Sequence, residues 1–469
     1  MPIFEILSWI DFARYELLLF GVTWFLIGGI DQLVIDAIWI GRRIYRRFRY
    51  YRHSPPQISP ELAKPRSPGL ITVFVPTWQE ASVIGAMLKR CRDSWQNGST
   101  RYLIYVGCYP NDPEGAEAII QAIGDDPYMR MVLCDSPGPT TKADCLNRLW
   151  SAMLIDELAT GKKAKAIVLH DAEDFVHKDE LSIFDRLIEQ AEGVQLPVIP
   201  VVVPNSRWIS GHYCDEFAVA HGRDLVVREA IGAALPFAGV GCAIDRVTLG
   251  RIALLQQNRP FDDSSLTEDY ELGLHIGAQG GRSMIARIRD HNGDLIGTRA
   301  CFPDSIATAV RQKARWVTGI ALAGWDRMGW NNRPAELWMR LHDRSAIFAA
   351  VLLLVAYACL ILSAVLILAV YLTDFTPSPL PPTIALLLWV NGAIMLWRLC
   401  VRAAFVGRIY GWKSAMISIP RSIVSSIISI IAARRAMASY FQLCIGRKLQ
   451  WDKTDHAHFP NASVKNEKA

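Results

Sequence analysis

Two carboxylates separated by one residue, Asp171 and Glu173, follow a short apolar run that ends at Leu169. In an extended turn, this spacing allows one carboxylate to reach a cation while the other contacts a bound ligand. Because Mg²⁺ is commonly held by one or two carboxylates together with phosphate oxygens, the pair predicts a site for Mg²⁺ or Mn²⁺. The alternative is a solvated acidic turn that caps the helix predicted to begin near Lys178.

A third carboxylate, Asp269, lies in the motif Thr267-Glu268-Asp269, which precedes a helical pattern. A hydroxyl group that attacks a carbon centre must lose its proton, and a carboxylate on the side opposite the leaving group can accept it. We therefore predict that Asp269 is a general base. The alternative is a helix N-terminus with a cap and acidic first-turn residues.

Lys142 and Asp112 are candidate contacts for a phosphorylated ligand. Lys142 lies at a predicted helix start, where its ammonium group and backbone N–H groups can both face a phosphate. Asp112 follows the second predicted strand, where its carboxylate can accept hydrogen bonds from a base or a ribose. A solvated lysine and an ordinary turn over Tyr109–Pro113 are the alternatives.

Gln312, Arg315 and Trp316 belong to one helical pattern that extends from Asp304 to Trp330. An indole offers a flat surface for a sugar ring, and a guanidinium offers a two-pronged donor for a diphosphate. The apolar spacing and the interleaved Trp and Arg residues predict that the helix lies along a membrane face. The alternative is an interfacial anchor that has no catalytic part.

Short apolar runs alternate with helical patterns between residues 70 and 203, which predicts a doubly wound, mostly parallel α/β sheet. The predicted strands are Leu70–Val75, Tyr102–Val106, Met131–Cys134, Ala166–Leu169 and Val198–Val203. The predicted helices are Ala81–Arg92, Pro113–Ile123, Lys142–Ala159 and Lys178–Glu192. Ligands of such sheets lie beyond the carboxyl ends of the strands, where Pro76–Glu80 and His170–Asp174 are expected.

Hydrophobic stretches flank this predicted domain, and 51% of the 469 residues are hydrophobic, which predicts membrane spans. The first segment, Leu17–Ile40, precedes a basic run, so the positive-inside rule predicts that the chain enters the cytoplasm there. It contains Asp31 and Asp36, which either face protein or water or lie at the membrane interface. The segment lacks a cleavage pattern and is expected to remain as an anchor.

Two further spans are predicted at Ser345–Leu372 and Thr383–Trp397, joined by a proline-rich loop without Lys or Arg. The stretch Ala415–Ala433 is ambiguous, because it is apolar on average but contains Pro420, Arg421 and several serines. We favour an interfacial or re-entrant segment with a cytoplasmic C-terminus. A fourth crossing would place the basic residues that follow outside the membrane.

Charge and cysteine usage narrow the class of protein. The net charge is +5, and two basic groups, residues 42–52 and 434–453, flank predicted membrane segments. This placement argues against a nucleic-acid partner. Ten cysteines occur without a Cys-x-x-Cys pair, which favours a reduced cytosolic environment without structural zinc.

In combination and in this order, the motifs resemble those of the family 2 inverting glycosyltransferases, which include membrane synthases of the cellulose and hyaluronan type. Pro76–Glu80 is similar to the family's Pro-x-x-x-Glu strand end. Lys142 and Asn147 are similar to its Gly-Lys-x-x-x-Leu-Asn helix start, with Thr141 in place of the glycine. Its Asp-x-Asp pair becomes Asp171-Ala172-Glu173, whereas Thr-Glu-Asp and Gln-x-x-Arg-Trp are intact.

This resemblance implies a GT-A-like fold, a nucleotide sugar donor, a saccharide or lipid-linked acceptor and Mg²⁺ or Mn²⁺ as cofactor. It implies donor contacts at Thr77, Glu80, Asp112, Lys142 and Asp171, and acceptor or diphosphate contacts at Glu268, Gln312, Arg315 and Trp316. It also implies metal ligation by Asp171 and Glu173, and Asp269 as the base. The loop Phe237–Cys242 is similar to a glycine-containing loop that approaches the acceptor.

A narrower resemblance, through His170–Asp174 and Trp451–His456, is to the phage adsorption protein B type of inner-membrane glycosyltransferase. Members often continue into a cytoplasmic regulatory domain, which is expected to be absent here or supplied by another chain. The resemblance implies a multi-pass protein of the bacterial inner membrane with a cytoplasmic catalytic domain. Exopolysaccharide synthesis with an envelope export partner is the implied setting.

The predicted organisation follows from these segments. It comprises an N-terminal membrane anchor (1–41), a basic, proline-rich linker (42–68), a glycosyltransferase domain (69–300), an interfacial helix region with Gln-x-x-Arg-Trp (301–344), two transmembrane helices (345–400), and an interfacial or re-entrant segment with a cytoplasmic tail (401–469). Two other functions stay open: a membrane scaffold or receptor component with a vestigial site, and a non-processive transferase to a lipid-linked acceptor.

Overall fold

The computed structural model describes residues 2–52 and 58–446, so the Trp451–His456 motif lies outside the described residues. The strands are β1 (Leu70–Pro76), β2 (Arg101–Cys108), β3 (Met129–Leu133), β4 (Ala164–Leu169), β5 (Gly193–Gln195), β6 (Val198–Val201), β7 (Cys242–Asp245), β8 (Ser283–Ile285) and β9 (Thr298–Cys301). The helices are α1 (Pro2–Arg49), α2 (Ala81–Trp95), α3 (Pro113–Ile123), α4 (Lys142–Thr160), α5 (Glu180–Leu187), α6 (Ile209–Val219), α7 (Leu225–Ala230), α8 (Arg246–Leu255), α9 (Glu268–Ala278), α10 (Ile306–Val317), α11 (Ala323–Met328), α12 (Pro334–Arg344), α13 (Ala346–Leu372) and α14 (Pro382–Cys444). Single π-helical turns follow α6 and α10, at Ala220–Asp224 and Thr318–Leu322.

The main sheet has seven strands in the order β3-β2-β1-β4-β7-β5-β8. The first four strands of this order are parallel to one another, and β7 runs antiparallel to both β4 and β5. The predicted α/β class with a mostly parallel sheet is therefore confirmed. The prediction that Val198–Val203 joins this sheet was wrong, because β6 ends at Val201 and pairs with β9 in a separate two-stranded sheet.

Helices cover both faces of the main sheet. Ile71 and Val73 of β1 pack in one buried cluster with Met87 of α2. Phe74, which points to the other face, packs with Leu146 of α4 in a second cluster. Burial on both faces explains why the parallel strands are continuous apolar runs, and it leaves the strand ends as the place where polar side chains can gather.

Three helices in the described part of the chain are long and apolar enough to cross a membrane: α1, α13 and α14. The predicted span Leu17–Ile40 lies inside α1, which is longer at both ends. The sequence has no proline between Pro2 and Pro55, so nothing breaks the helix where the apolar run becomes basic. The predicted linker, residues 42–68, therefore begins as helix.

The two aspartates of the predicted span, Asp31 and Asp36, face protein. Asp31 accepts a hydrogen bond of 2.6 Å from the Trp338 indole. Asp36 lies 2.7 Å from Arg223 Nη1 and accepts a hydrogen bond of 2.8 Å from the Trp397 indole. A carboxylate within an apolar segment is stabilised when it is paired and hydrogen-bonded. These contacts tie α1 to α12, to the π-helical turn before α7, and to α14.

The ambiguous stretch Ala415–Ala433 is part of α14, beyond a bend at Gly411 where φ is +83°. Its apolar side packs against α6 and α10. Arg421 is buried and forms two hydrogen bonds of 2.7 Å with the carboxylate of Asp215 in α6. The segment thus packs on the α/β domain, and its placement at the membrane interface stays a prediction.

Candidate active site

The loop after β4 is held by a buried histidine. His170 Nδ1 lies 2.8 Å from Asp174 Oδ2, and its Nε2 lies 2.7 Å from Glu180 Oε1. Burial acts to lower the pKa of His170, but Glu180 and Asp174 outweigh it and raise the pKa to about 10. Asp174 also accepts the backbone N–H of Asp171 at 3.0 Å. This network fixes the turn from which Asp171 and Glu173 reach a cavity.

Lys142 is the first residue of α4, and the Thr141 hydroxyl caps that helix by accepting a backbone N–H at 3.2 Å. Thr141, which stands where the similar motif has glycine, therefore stabilises the start of α4. Lys142 Nζ lies 2.5 Å from Asp171 Oδ1. Burial acts to lower the pKa of Lys142, but Asp171, Glu268 and Asp269 raise it above its ordinary value. The Lys142 ammonium group is thus a positive charge surrounded by the carboxylates of Asp171, Glu268 and Asp269.

Asp269 lies in the first turn of α9, against the loop that contains Gly239. Gly239 has φ of +74°, and a Cβ at this position would lie 2.5 Å from Asp269 Oδ2 and 3.4 Å from Lys142 Nζ. Glycine allows both the left-handed conformation and the close approach of the backbone. Burial, followed by Glu268, raises the pKa of Asp269 to about 7. Such a value suits a general base near neutral pH.

The capping alternative is wrong for Asp171 and Glu173, whereas Asp269 does lie in an acidic first turn, that of α9. The helix after the Asp171 turn, α5, begins at Glu180 with Asp179 at its N-cap position, so Asp171 and Glu173 do not cap it. Thr267 occupies the N-cap position of α9. Within the part of the chain that the structure describes, however, its hydroxyl has no hydrogen-bond partner.

Three side chains of α10 line the same cavity. Trp316 lies in an aromatic group, with its ring centroid 6.0 Å from that of Tyr213. Gln312 Oε1 is buried and accepts no hydrogen bond among the described residues. The cavity therefore brings together eight residues predicted from sequence: Lys142, Asp171, Glu173, Glu268, Asp269, Gln312, Arg315 and Trp316.

Three predicted donor contacts do not line this cavity. Thr77 Oγ1 donates a hydrogen bond of 2.6 Å to the backbone carbonyl of Gly107. Asp112 caps α3 and accepts the backbone N–H of Gln79 at 2.6 Å. Glu80 is buried at the N-cap position of α2. These side chains shape the loops after β1 and β2, and their contact with a donor stays a prediction.

The sequence reading missed two aromatic residues of the cavity wall. Phe217 of α6 and Phe302, which follows β9, line the cavity with Trp316. The ring centroids of Phe217 and Phe302 lie 4.9 Å apart, and those of Phe217 and Trp316 lie 6.2 Å apart. No motif marks either phenylalanine, because three elements distant in sequence create the group.

The carboxylates of Asp171 and Glu173 are the candidate ligands for a divalent cation. In residues 2–52 and 58–446, no group of three or more His, Cys, Asp or Glu side chains is arranged to hold a metal ion. Burial, followed by the charges of Asp171 and Glu80, raises the pKa of Glu173 well above its ordinary value. A cation that takes its remaining ligands from a diphosphate and water would relieve this repulsion, so the pair fits Mg²⁺ or Mn²⁺.

Comparison with known proteins identifies the family. Residues 166–427 match the family model described as Glycosyl transferase family group 2. The chain belongs to this family. The match covers the loop after β4, the Thr-Glu-Asp and Gln-x-x-Arg-Trp motifs, and most of α14, and it makes the protein a glycosyltransferase.

Two curated proteins are similar to this chain over most of its length. This glycosyltransferase is 32% identical to bacteriophage adsorption protein B of Escherichia coli strain K12 over 93% of its own length. The bacteriophage N4 adsorption protein B of Escherichia coli O157:H7 matches equally well. The chain spans 61% of the length of these relatives.

Solved structures of glycosyltransferases are also similar. A mannosyltransferase from Pyrobaculum calidifontis in complex with GDP-Man and Mn²⁺ is 15% identical, with 88% of this chain and 99% of that chain covered and a TM-score of 0.48. Glucosyl-3-phosphoglycerate synthase from Mycobacterium tuberculosis, in complex with Mn²⁺, uridine-diphosphate-glucose and phosphoglyceric acid, is 15% identical. In that case 56% of this chain and 81% of that chain are covered, with a TM-score of 0.33.

Proposed function

We propose that this glycosyltransferase transfers a sugar, with inversion, from a nucleotide diphosphate sugar to a saccharide or lipid-linked acceptor. The observation that carries the proposal is the shared cavity, in which the candidate base Asp269 lies beside Lys142 and the carboxylates Asp171 and Glu173. Base, cation and cation ligands are the groups that this reaction requires.

The donor would bind with its diphosphate between α4 and α10. Lys142, at a helix N-terminus, supplies a positive charge and oriented N–H groups, and Arg315 supplies a second cation. Asp171 and Glu173 would hold Mg²⁺ or Mn²⁺, which when bound neutralises charge on the departing diphosphate. When the phosphates bind, Lys142 would exchange part of its contact with Asp171 for phosphate oxygens.

The acceptor hydroxyl would approach the sugar from the side of Asp269. Its oxygen forms a bond to the anomeric carbon, the bond from that carbon to the diphosphate oxygen breaks, and the hydroxyl proton passes to the Asp269 carboxylate. Attack opposite the leaving group inverts the configuration at this carbon. The aromatic rings of Phe217, Phe302 and Trp316 offer apolar faces on which an acceptor sugar can stack.

The apolar helices and the resemblance to phage adsorption protein B support a location in the bacterial inner membrane, with the α/β domain in the cytoplasm. There the acceptor would be a growing polysaccharide or a lipid-linked saccharide, as in exopolysaccharide synthesis. The intact Gln-x-x-Arg-Trp motif favours a polymer. That this chain has an export partner in the envelope is a prediction. That it shares the activities of its longer relatives is also a prediction.

The experiment is release of nucleoside diphosphate from a panel of nucleotide sugars, with the full chain in detergent and with Mg²⁺, Mn²⁺ or EDTA. The wild type is compared with Asp269→Asn and with Asp125→Asn, a matched change at an exposed loop position. We expect release from one donor, lost in EDTA and in Asp269→Asn but kept in Asp125→Asn. Full activity of Asp269→Asn would contradict the proposal and favour a scaffold role.

A further inference from the structure

Four exposed arginines, Arg43, Arg287, Arg289 and Arg408, lie where α1, α14 and the segment after β8 meet. Among the residues that the structure describes, none of these four guanidinium groups forms an ion pair with a carboxylate. The charges that act on Arg287 are those of Arg289 and Arg408. Positive groups gathered in this way repel one another unless an anion lies between them.

One tryptophan organises two of the arginines. The guanidinium of Arg43 lies 5.3 Å from the ring centroid of Trp39, and that of Arg408 lies 5.7 Å from it. Arg408 also lies 5.4 Å from the ring centroid of Phe405. The aromatic faces thus hold one guanidinium group of α1 and one of α14 side by side.

The other arginines join this group through the π-helical turn. The Trp39 indole donates a hydrogen bond of 3.0 Å to the carbonyl of Gly222. Arg287 Nη1 donates one of 2.7 Å to the neighbouring carbonyl of His221. A Cβ on Gly222 would lie 2.6 Å from the Phe405 ring and 3.6 Å from Arg287 Nη1. These short distances place Arg43, Arg287 and Arg408 around one point. We call these three residues, together with Arg289, the arginine cluster.

The position of the arginine cluster identifies the kind of anion. Trp39 follows the apolar part of α1, and Ile40 and Ile44 beside it are exposed. Tryptophan at the end of a span is typical of the level of lipid headgroups, and guanidinium groups bind phosphate oxygens through paired donors. A free phosphate would satisfy the charges but would leave the apolar surface beside them uncovered.

We propose that the arginine cluster binds the phosphate of an anionic phospholipid at the cytoplasmic surface of the membrane. The acyl chains would cover the exposed apolar side chains of α1, and the headgroup would lie between Arg43, Arg287, Arg289 and Arg408. The site is separate from the catalytic carboxylates. It is linked to the cavity wall, because the ring of His221 stacks on Phe217 with centroids 5.2 Å apart.

The test is lipid binding by the full chain in detergent, measured as thermal stabilisation and as lipid retained in intact-protein mass spectra. Phosphatidylglycerol is titrated beside phosphatidylcholine and beside inorganic phosphate. The variant Arg287→Gln/Arg408→Gln is compared with Lys162→Gln/Lys163→Gln, which removes the same charge from an exposed loop before β4. We expect phosphatidylglycerol to bind the wild type and the lysine variant, and binding by the arginine variant to be about thirtyfold weaker.

Equal binding of phosphatidylcholine, or an arginine variant that binds phosphatidylglycerol as the wild type does, would overturn the proposal. Inorganic phosphate that binds as well as the lipid would reassign the site to a soluble anion. If the double variant does not fold, the single variant Arg408→Gln is used. Among the described residues, the Arg408 guanidinium forms no hydrogen bond that this substitution would remove. About a fivefold loss is expected there, with recovery in Arg408→Lys. These readouts do not depend on sugar transfer.

Discussion

The polar residues after β1 and β2 and those after β4 occupy equivalent places in the topology, but the fold uses them differently. Thr77 and Asp112 bind backbone groups and lie outside the cavity, whereas Asp171 and Glu173 line it. All four follow carboxyl ends of neighbouring parallel strands. A place at a strand end therefore does not by itself bring a side chain into the cavity. Substitutions in the first pair should lower stability, and those that disturb the cavity should lower activity.

The largest effect is expected for Asp269→Asn, which removes the base but keeps the shape of the side chain. General base catalysis contributes about 10²- to 10⁴-fold, so kcat should fall by that factor. The melting temperature and the affinity for the donor should stay close to those of the wild type. Steady-state kinetics measure kcat, and donor titration measures the affinity for the donor. A variant that loses donor affinity instead of kcat would place Asp269 on the donor side.

Gly239→Ala should have the second-largest effect on the rate, because the new Cβ would displace the Asp269 carboxylate. A misplacement of about 1 Å can cost about 10²-fold in rate. The control is Gly232→Ala, which has a similar φ of +72° but no atom within 4 Å of the added Cβ. Both variants bear the backbone strain, and only Gly239→Ala should lose activity. Equal losses would show that strain, not the position of the base, is responsible.

The pH dependence should show a smaller, graded effect. Because the pKa of Asp269 is raised to about 7, the carboxyl is protonated and inactive below that pH. The value of kcat/KM should therefore rise about tenfold per pH unit on the acid side and level off above pH 7. Circular dichroism at each pH shows whether the protein remains folded. A flat profile from pH 5 to 8 would exclude this carboxyl as the base.

Asp112→Ala should have the smallest effect on rate and a measurable effect on stability. The loss of the α3 cap is expected to lower the free energy of unfolding of the α/β domain by about 1 kcal/mol, with kcat almost unchanged. Asp112→Asn keeps one acceptor oxygen, which can retain one of the two backbone hydrogen bonds, so its effect should be milder. Thermal melts beside donor KM values check this, and a large rise in KM for both variants would make Asp112 a donor contact.

Features with strong local signals could be predicted from the sequence. Continuous apolar runs identified β1, β2 and β4, and the motifs identified the cavity residues from Lys142 to Trp316. Strands β5, β7, β8 and β9 have three or four residues each, too few to show a period. Phe217 and Phe302 belong to the site only through tertiary packing. Local sequence patterns cannot reveal such contacts. They also cannot show which polar side chains form hydrogen bonds with backbone groups.

The pairing of Asp36 with Arg223 affects any attempt to express the α/β domain alone. Removal of the helix up to Arg49 would take away both Asp36 and Gln32, and it would leave the buried Arg223 guanidinium with only its neighbour Asp224 as a partner. Removal of one partner from a buried pair costs about 3–5 kcal/mol, a large share of the stability of an ordinary domain. A shortened protein of this kind should aggregate, so the natural unit for expression and crystallisation includes the first helix.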